Sequence, residues 1–429
     1  MQPRCVQTYY IQQDYDLLKQ QLLFWCDRFS HCCFLDSQHY SSPGETPLCL
    51  AAAGAVREFT TETNPKELFA TIESFDDWLF GHLSYHALHA QNGVPSPQQR
   101  AGQFPASFLF CPETIFTLTE QTLTISTLAP STEEIWKSIT AIDVHPLKKK
   151  LPPITFTPGM ERATYLLRVE QLLQHIHRGD CYEINFCQEF FASPVTIPAV
   201  ATYLHLMAIS PNPFSSFYKN NGRYVLCASP ERFLQKKGRM LRSQPIKGTM
   251  RRHTTDPAED ALLKEKLRSS MKNQSENIMV VDLVRNDLSR VCREGTVRVS
   301  ELLGLYSFPQ VHQLISTIEG ELLPNTTLYD ILSATFPMGS MTGAPKKKVM
   351  DLIEQYEPVP RGIYSGSIGY ITPEKDFDWN VVIRSLVYLP EQQYLSYHVG
   401  GGITANSEPE QELEECFVKA RALQSLWGQ

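Results

Sequence analysis

The sequence predicts an α+β fold with antiparallel sheets, and three observations carry that prediction. Short runs rich in β-branched and aromatic residues recur at Arg223 to Ala228, Val297 to Glu301, Val381 to Leu389 and Tyr394 to His398. Stretches with helical spacing lie near 257–290, 327–334, 345–356 and 408–425. The strand-like runs come in pairs joined by turns, with helices interrupting them, which favours antiparallel pairing. There is no fixed-period repeat and no low-complexity tract.

Each element has a local reason. Thr157 is placed to cap a helix running to about Arg178, with Tyr165, Leu166, Val169, Leu172, Leu173 and Ile176 at helical spacing and Gly179 as the stop. On the last helix, Leu413, Cys416, Phe417, Ala420 and Leu423 form an apolar stripe, and Glu412 and Glu415 share a neighbouring face. The clearest boundary runs from Pro146 to Pro158, where Lys148-Lys149-Lys150 and Pro152-Pro153 suit neither a helix interior nor a central strand. The chain therefore divides near residue 150, into 1–150 and a catalytic region at 151–429.

Composition narrows the function. The 429 residues are 42% hydrophobic and 20% charged, the profile of a water-soluble globular enzyme. A net charge of −7 argues against nucleic acid, since neutralising phosphates takes a basic face. The 11 cysteines are scattered, with no Cys-x-x-Cys pair, as in a reducing compartment. Met1 to Thr8 has no apolar signal core, and the longest small-apolar run, Leu48 to Val56, is far short of a membrane span. A cytoplasmic enzyme is expected.

The chemistry concentrates in ordered segments: Ser229-Pro230-Glu231, Pro245-Ile246-Lys247-Gly248-Thr249, Glu276 to Leu288, Val311-His312-Gln313-Leu314, Gly339-Ser340-Met341-Thr342-Gly343-Ala344-Pro345-Lys346, Arg361 to Tyr370, Val382-Ile383-Arg384 and Gly400-Gly401-Gly402-Ile403. The Gly339 to Lys346 segment lacks the Gly-Lys-Ser/Thr of a nucleotide loop, and Pro345 removes an amide. Together and in this order, the segments resemble the chorismate-binding enzymes, over about residues 155 to 425. Within that family, a lysine at 247 resembles aminodeoxychorismate synthase component I, whereas anthranilate synthases, the alternative reading, carry alanine there.

The resemblance implies four layers, two large antiparallel sheets packed face to face with helices outside. It also implies roles. Glu276 and Glu415 would hold Mg²⁺, with Glu412 reaching it through water; hard oxygen ligands suit that ion. Arg384, Tyr364 and the backbone around Ser340, Thr342, Gly343 and Gly400 to Gly402 would receive the chorismate carboxylates. Glu231 would be the general acid and base at the C4 hydroxyl, which calls for a raised pKa. Lys247 would attack C2, with Thr249 beside it and His312 near the ring. A lysine of ordinary pKa, ~10.4, is almost wholly protonated near neutrality, so the site is expected to lower that value. Three departures from the family pattern stand out: Glu183 in place of the usual glutamine, Asn273 in place of an acid, and Met338 in place of glycine. With no Gly-x-Cys-x-Gly turn in the sequence, ammonia is expected from a separate glutamine amidotransferase subunit.

Overall fold

A computed structural model describes residues 3–40, 49–61, 64–95, 102–144, 151–308 and 311–428. All strand pairing among them is antiparallel, in two limbs joined by two long strands, Cys49–Thr61 and Ser107–Leu118. One limb runs from Cys5–Tyr10 through Thr122–Thr127 and the long strands to His31–Asp36, Phe214–Asn220 and Arg223–Ser229. It ends with Ser385–Leu389, Tyr394–Thr404 and Glu183–Ala192. The other limb passes from Ser107–Leu118 through Leu79–Leu83, Ser367–Ile371, Phe377–Asn380, Arg232–Lys237 and Met240–Gln244. Its far strand, Val311–Glu321, also pairs with Ile246–Arg251 and Arg298–Ser307.

The limbs face each other across a buried cluster to which both contribute, including Phe80, Phe110, Tyr218, Val225 and Val382. Outside the first limb, Leu18 and Leu22 of helix Tyr15–Cys26 and Tyr203 and Leu206 of helix Ala199–Ile209 are buried. Outside the second, Phe69, Val280 and Ile331 come from helices Pro65–Glu73, Met271–Ser289 and Leu328–Thr335. Each such side chain, fully buried, contributes roughly 1.5–3 kcal/mol. The layering is helix, sheet, sheet, helix, as the resemblance implied.

The structure differs from the sequence reading in three local places. Thr157 caps no helix: Thr157–Pro158 pairs with Phe191 and Phe190, and the helix spans Arg162–His177. The helical stretch near 257–290 is two helices, Pro257–Arg268 and Met271–Ser289, because Ser270 accepts a hydrogen bond from the Asn273 amide and restarts the helix as its cap. The run from Val381 to Leu389 is interrupted, and only Ser385–Leu389 is strand. The proline- and lysine-rich boundary at 146–150 lies outside the described residues. On either side of it, His31–Asp36 pairs with Phe214–Asn220, and Leu79–Leu83 with Ser367–Ile371.

Candidate active site

Lys247 owes its position to an irregularity in its strand. Along Ile246–Arg251, Ile246 lies opposite Ile315 and Thr249 opposite Gln313, so one extra residue bulges out between them. A bulge re-aims the side chain it carries. Gly248 completes it at φ +92, a conformation costly for any other residue, and a Cβ there would sit 3.1 Å from Asn273. The Lys247 side chain is 11% exposed, and its ammonium donates a 2.6 Å hydrogen bond to Oε1 of Glu183. Glu183 opens strand Glu183–Ala192, is buried, and has a second oxygen, Oε2, with no hydrogen-bond partner.

This pair bears on the expected reactivity of Lys247. Burial alone would lower its pKa, as expected from the sequence, but the charges of Glu183 and Glu276 and the Glu183 hydrogen bond outweigh that. The net direction is upward, so these carboxylates hold Lys247 protonated.

Glu231 is arranged differently. It lies between strands Arg223–Ser229 and Arg232–Lys237, with its amide donating to Ser229 Oγ and its carbonyl accepting from Val381 N. Its carboxyl accepts one short hydrogen bond, 2.6 Å, from Ser340 Oγ. Burial raises its pKa to about 7, against the lowering effects of Ser340, Lys247 and Arg384. Glu231 and Ser340 border a narrow cleft that Phe233, Pro245 and Gly339 also line. Arg384 projects from the interruption before strand Ser385–Leu389. Its φ of +51 is uncommon for a side-chain-bearing residue, and its guanidinium makes no hydrogen bond or ion pair to a described residue.

The glycine run sits between the two charged groups. Gly402 lies against the lysine pair, where a Cβ would be 2.7 Å from Glu183 Oε1 and 3.2 Å from Lys247 Nζ. Gly401 lies against helix Pro409–Gln424, where a Cβ would be 3.4 Å from Glu412 Oε2 and 3.6 Å from Glu415 Oε1. Glu412 is the buried member of that pair and accepts from Ser407 Oγ at 2.7 Å. Glu415 is exposed and pairs with Lys419 at 2.8 Å. Lys272 bridges the gap to Glu276, 3.4 Å from Glu412 and 4.0 Å from Glu276. Oε1 of Glu276 is buried without a hydrogen bond. An orphaned carboxylate oxygen, a glycine cradle and a lysine already bridging two acids form a donor set that suits a hard divalent cation.

The remaining expected residues divide. Tyr364 is buried and stacks on His398 at 4.8 Å. Thr342 is also buried, but its hydroxyl donates back to Met338 O, within its own turn. Gly343 pairs with Ile184, and a Cβ there would lie 2.0 Å from Glu183 O; no other residue fits that approach. His312 is a correction. It lies opposite Met250, and its ring nitrogens meet Ser307 and Asp260, because successive strand residues face opposite ways. The neighbour that faces Thr249 is Gln313, fully buried, whose Nε2 donates to Thr249 Oγ1 at 3.4 Å and whose Oε1 has no partner. No local signal marks it, because its facing Thr249 depends on the register between two strands distant in sequence.

Two more motif residues fasten the loop. Lys346 donates to buried Asp287 at 2.5 Å, and Arg361 donates to Met341 O, Asn185 O and Glu357. These bonds tie the turn carrying Ser340 to the strand carrying Glu183.

Comparison with known proteins agrees with this arrangement. A family model described as chorismate binding enzyme matches residues 31–425. The chloroplastic aminodeoxychorismate synthase of Arabidopsis thaliana is 37% identical over 319 residues, 72% of this chain and 34% of that protein. Aminodeoxychorismate synthase component 1 of Klebsiella aerogenes is 40% identical over 265 residues, 62% of this chain and 58% of that protein. The chain thus spans about a third of the first relative and somewhat over half of the second. The crystal structure of anthranilate synthase component I from Streptococcus pneumoniae superposes with a TM-score of 0.77 at 25% identity, covering 91% of this chain and 95% of that one. MenF, the menaquinone-specific isochorismate synthase of Escherichia coli, shares the fold, with a TM-score of 0.74 at 19% identity over 100% of this chain and 96% of that one.

Proposed function

The chain belongs to the chorismate-binding enzymes, and from that premise we propose that it is an aminodeoxychorismate synthase component I, converting chorismate and ammonia to 4-amino-4-deoxychorismate. The observation that carries this reading is a buried lysine re-aimed by a bulge, with a carboxyl that titrates near neutrality also in its field.

Glu231, with a pKa of about 7, carries a proton for much of the time at neutral pH and delivers it to the C4 hydroxyl, which leaves as water. Lys247, as the free amine, forms a bond to C2 as both ring double bonds shift by one position and the C4–O bond breaks. Ammonia then bonds to C4, both double bonds shift back, and the C2–N bond breaks to release Lys247. Dividing one hard displacement into two easier ones is the gain of covalent catalysis. Glu183 is the nearest acceptor for the lysine proton, 2.6 Å away. Arg384, without a hydrogen bond or ion pair to a described residue, is left to bind a substrate carboxylate.

Glu276, Glu415 and Glu412 would hold Mg²⁺. Bound there, the ion supplies positive charge that grips a substrate carboxylate and offsets the acids facing Lys247. Ammonia is proposed to come from a separate glutamine amidotransferase, and the product to serve 4-aminobenzoate and folate synthesis.

The test is to incubate the chain with chorismate, Mg²⁺ and ammonia and identify the product by mass. A product that keeps the enolpyruvyl group and exchanges hydroxyl for amine supports the proposal. Anthranilate with pyruvate would replace it with the anthranilate synthase reading.

A further inference from the structure

A second group of side chains, where the turn after strand Leu79–Leu83 meets helix Lys346–Tyr356, has no part in the chemistry above. His86 and His89 follow strand Leu79–Leu83 in a turn closed by a 3.2 Å hydrogen bond from His89 N to His86 O. The turn holds the two rings 4.6 Å apart, tilted 57° to each other. Glu354, from helix Lys346–Tyr356, reaches between them: its Oε1 is 3.0 Å from His86 Nε2 and 3.3 Å from His89 Nε2. Among the described residues this is the one trio of histidine, cysteine or acidic side chains whose ligand atoms all lie within 4.8 Å of one another.

We propose that His86, His89 and Glu354 form a site for a borderline divalent transition ion of the Zn²⁺ class. In a tetrahedral site with ligand bonds of about 2.0–2.1 Å, neighbouring ligand atoms lie about 3.3–3.4 Å apart. The two carboxylate–imidazole separations, 3.0 and 3.3 Å, are close to that edge. A second, independent observation is the state of His89. Its side chain is 0% exposed, yet its Nδ1 meets no hydrogen-bond partner among the described residues and its Nε2 faces Glu354 at 3.3 Å. A fully buried, unsatisfied imidazole aimed at a carboxylate calls for a partner.

The surroundings favour metal over a simple ion pair. Tyr85 packs edge-on against both rings, at 5.0 and 4.8 Å, and fixes their orientation. Two imidazoles and one carboxylate suit Zn²⁺, Co²⁺ or Ni²⁺ rather than Mg²⁺ or Ca²⁺. Three protein ligands leave a fourth position for water. Filling the site would clamp the turn after Leu83 to helix Lys346–Tyr356, which follows the Gly343–Ala344 strand paired with Glu183.

The experiment uses the full chain, stripped with chelator and dialysed into Mg²⁺ buffer so that the acidic site is saturated. Titration with Co²⁺ should produce the visible absorption of tetrahedral cobalt, bleached by Zn²⁺, and Zn²⁺ should raise the melting temperature. His89→Ala should abolish both effects, and Glu354→Gln should weaken them. Because Glu354 is partly exposed, Glu354→Gln keeps the test valid if His89→Ala fails to fold. No cobalt band in the native chain, or an equal band in either variant, would overturn the site.

Discussion

Glu231 and Glu276 are both buried glutamates in the field of Lys247, yet their neighbourhoods suit them to opposite work. Glu231 accepts one hydroxyl, from Ser340, pairs with no cation within salt-bridge distance among the described residues, and is left by burial near a pKa of about 7. Burial raises Glu276 as well, and the net direction stays upward. Here, though, two lysines, Lys247 and Lys272, pull down and two acids, Glu183 and Glu415, push up, so it sits in a cluster of acids and ammonium groups that a cation can join. The first environment makes a proton carrier and the second a charged cradle. The same side chain takes its task from the charges around it.

The largest effect expected at the Glu231 end comes from Glu231→Gln. It should cut kcat by about 10²–10⁴-fold, the range for losing a general acid. The sign of the pH dependence follows from the shift. The acid form is present below a pKa of about 7, so amination by the native chain should fall as pH rises through that value. Glu231→Gln should lose that limb, and a profile unchanged in the variant would remove Glu231 from the acid role.

At the other end, Glu276→Gln should raise the Mg²⁺ concentration needed for half-maximal rate, by about 10- to 100-fold if Glu276 is a direct ligand. Chelator should silence the native chain, with Mg²⁺ restoring it. Glu415→Ala should give a smaller deficit, largely recovered at high Mg²⁺, because Glu415 is exposed and already paired with Lys419. Indifference of all three to the metal would dissolve the contrast between the two ends. The smallest effect is expected from Lys272→Met. Removing the ammonium that bridges Glu276 and Glu412 should tighten Mg²⁺ binding by a few-fold, about the scale of one partly exposed charge.

The two ends also differ in how legible they were from sequence. Glu231, Lys247 and Glu276 stand in short ordered motifs, and the structure gathers them around one lysine. The helices near 345–356 and 408–425 were visible because apolar spacing and proline starts are local signals. What escaped was long-range. No local pattern reveals that strand His31–Asp36 pairs with Phe214–Asn220, or that Leu79–Leu83 carries the Ser367–Ile371 edge. Register across two strands decided that Gln313, and not His312, faces Thr249. The direction of the Lys247 shift depends on Glu183, 64 positions away in sequence, and on Glu276. Burial could be foreseen from the sequence, but the placing of those acids could not.

The central claim is that Lys247 forms a bond to the substrate. The most direct measurement is the intact mass of the chain after reaction with chorismate and Mg²⁺ without ammonia, followed by peptide mapping. The account predicts an added mass of chorismate less water on the peptide carrying Lys247, absent in Lys247→Ala. A native chain that makes the aminated product while Lys247 stays unmodified, together with a Lys247→Ala variant of equal rate, would contradict it.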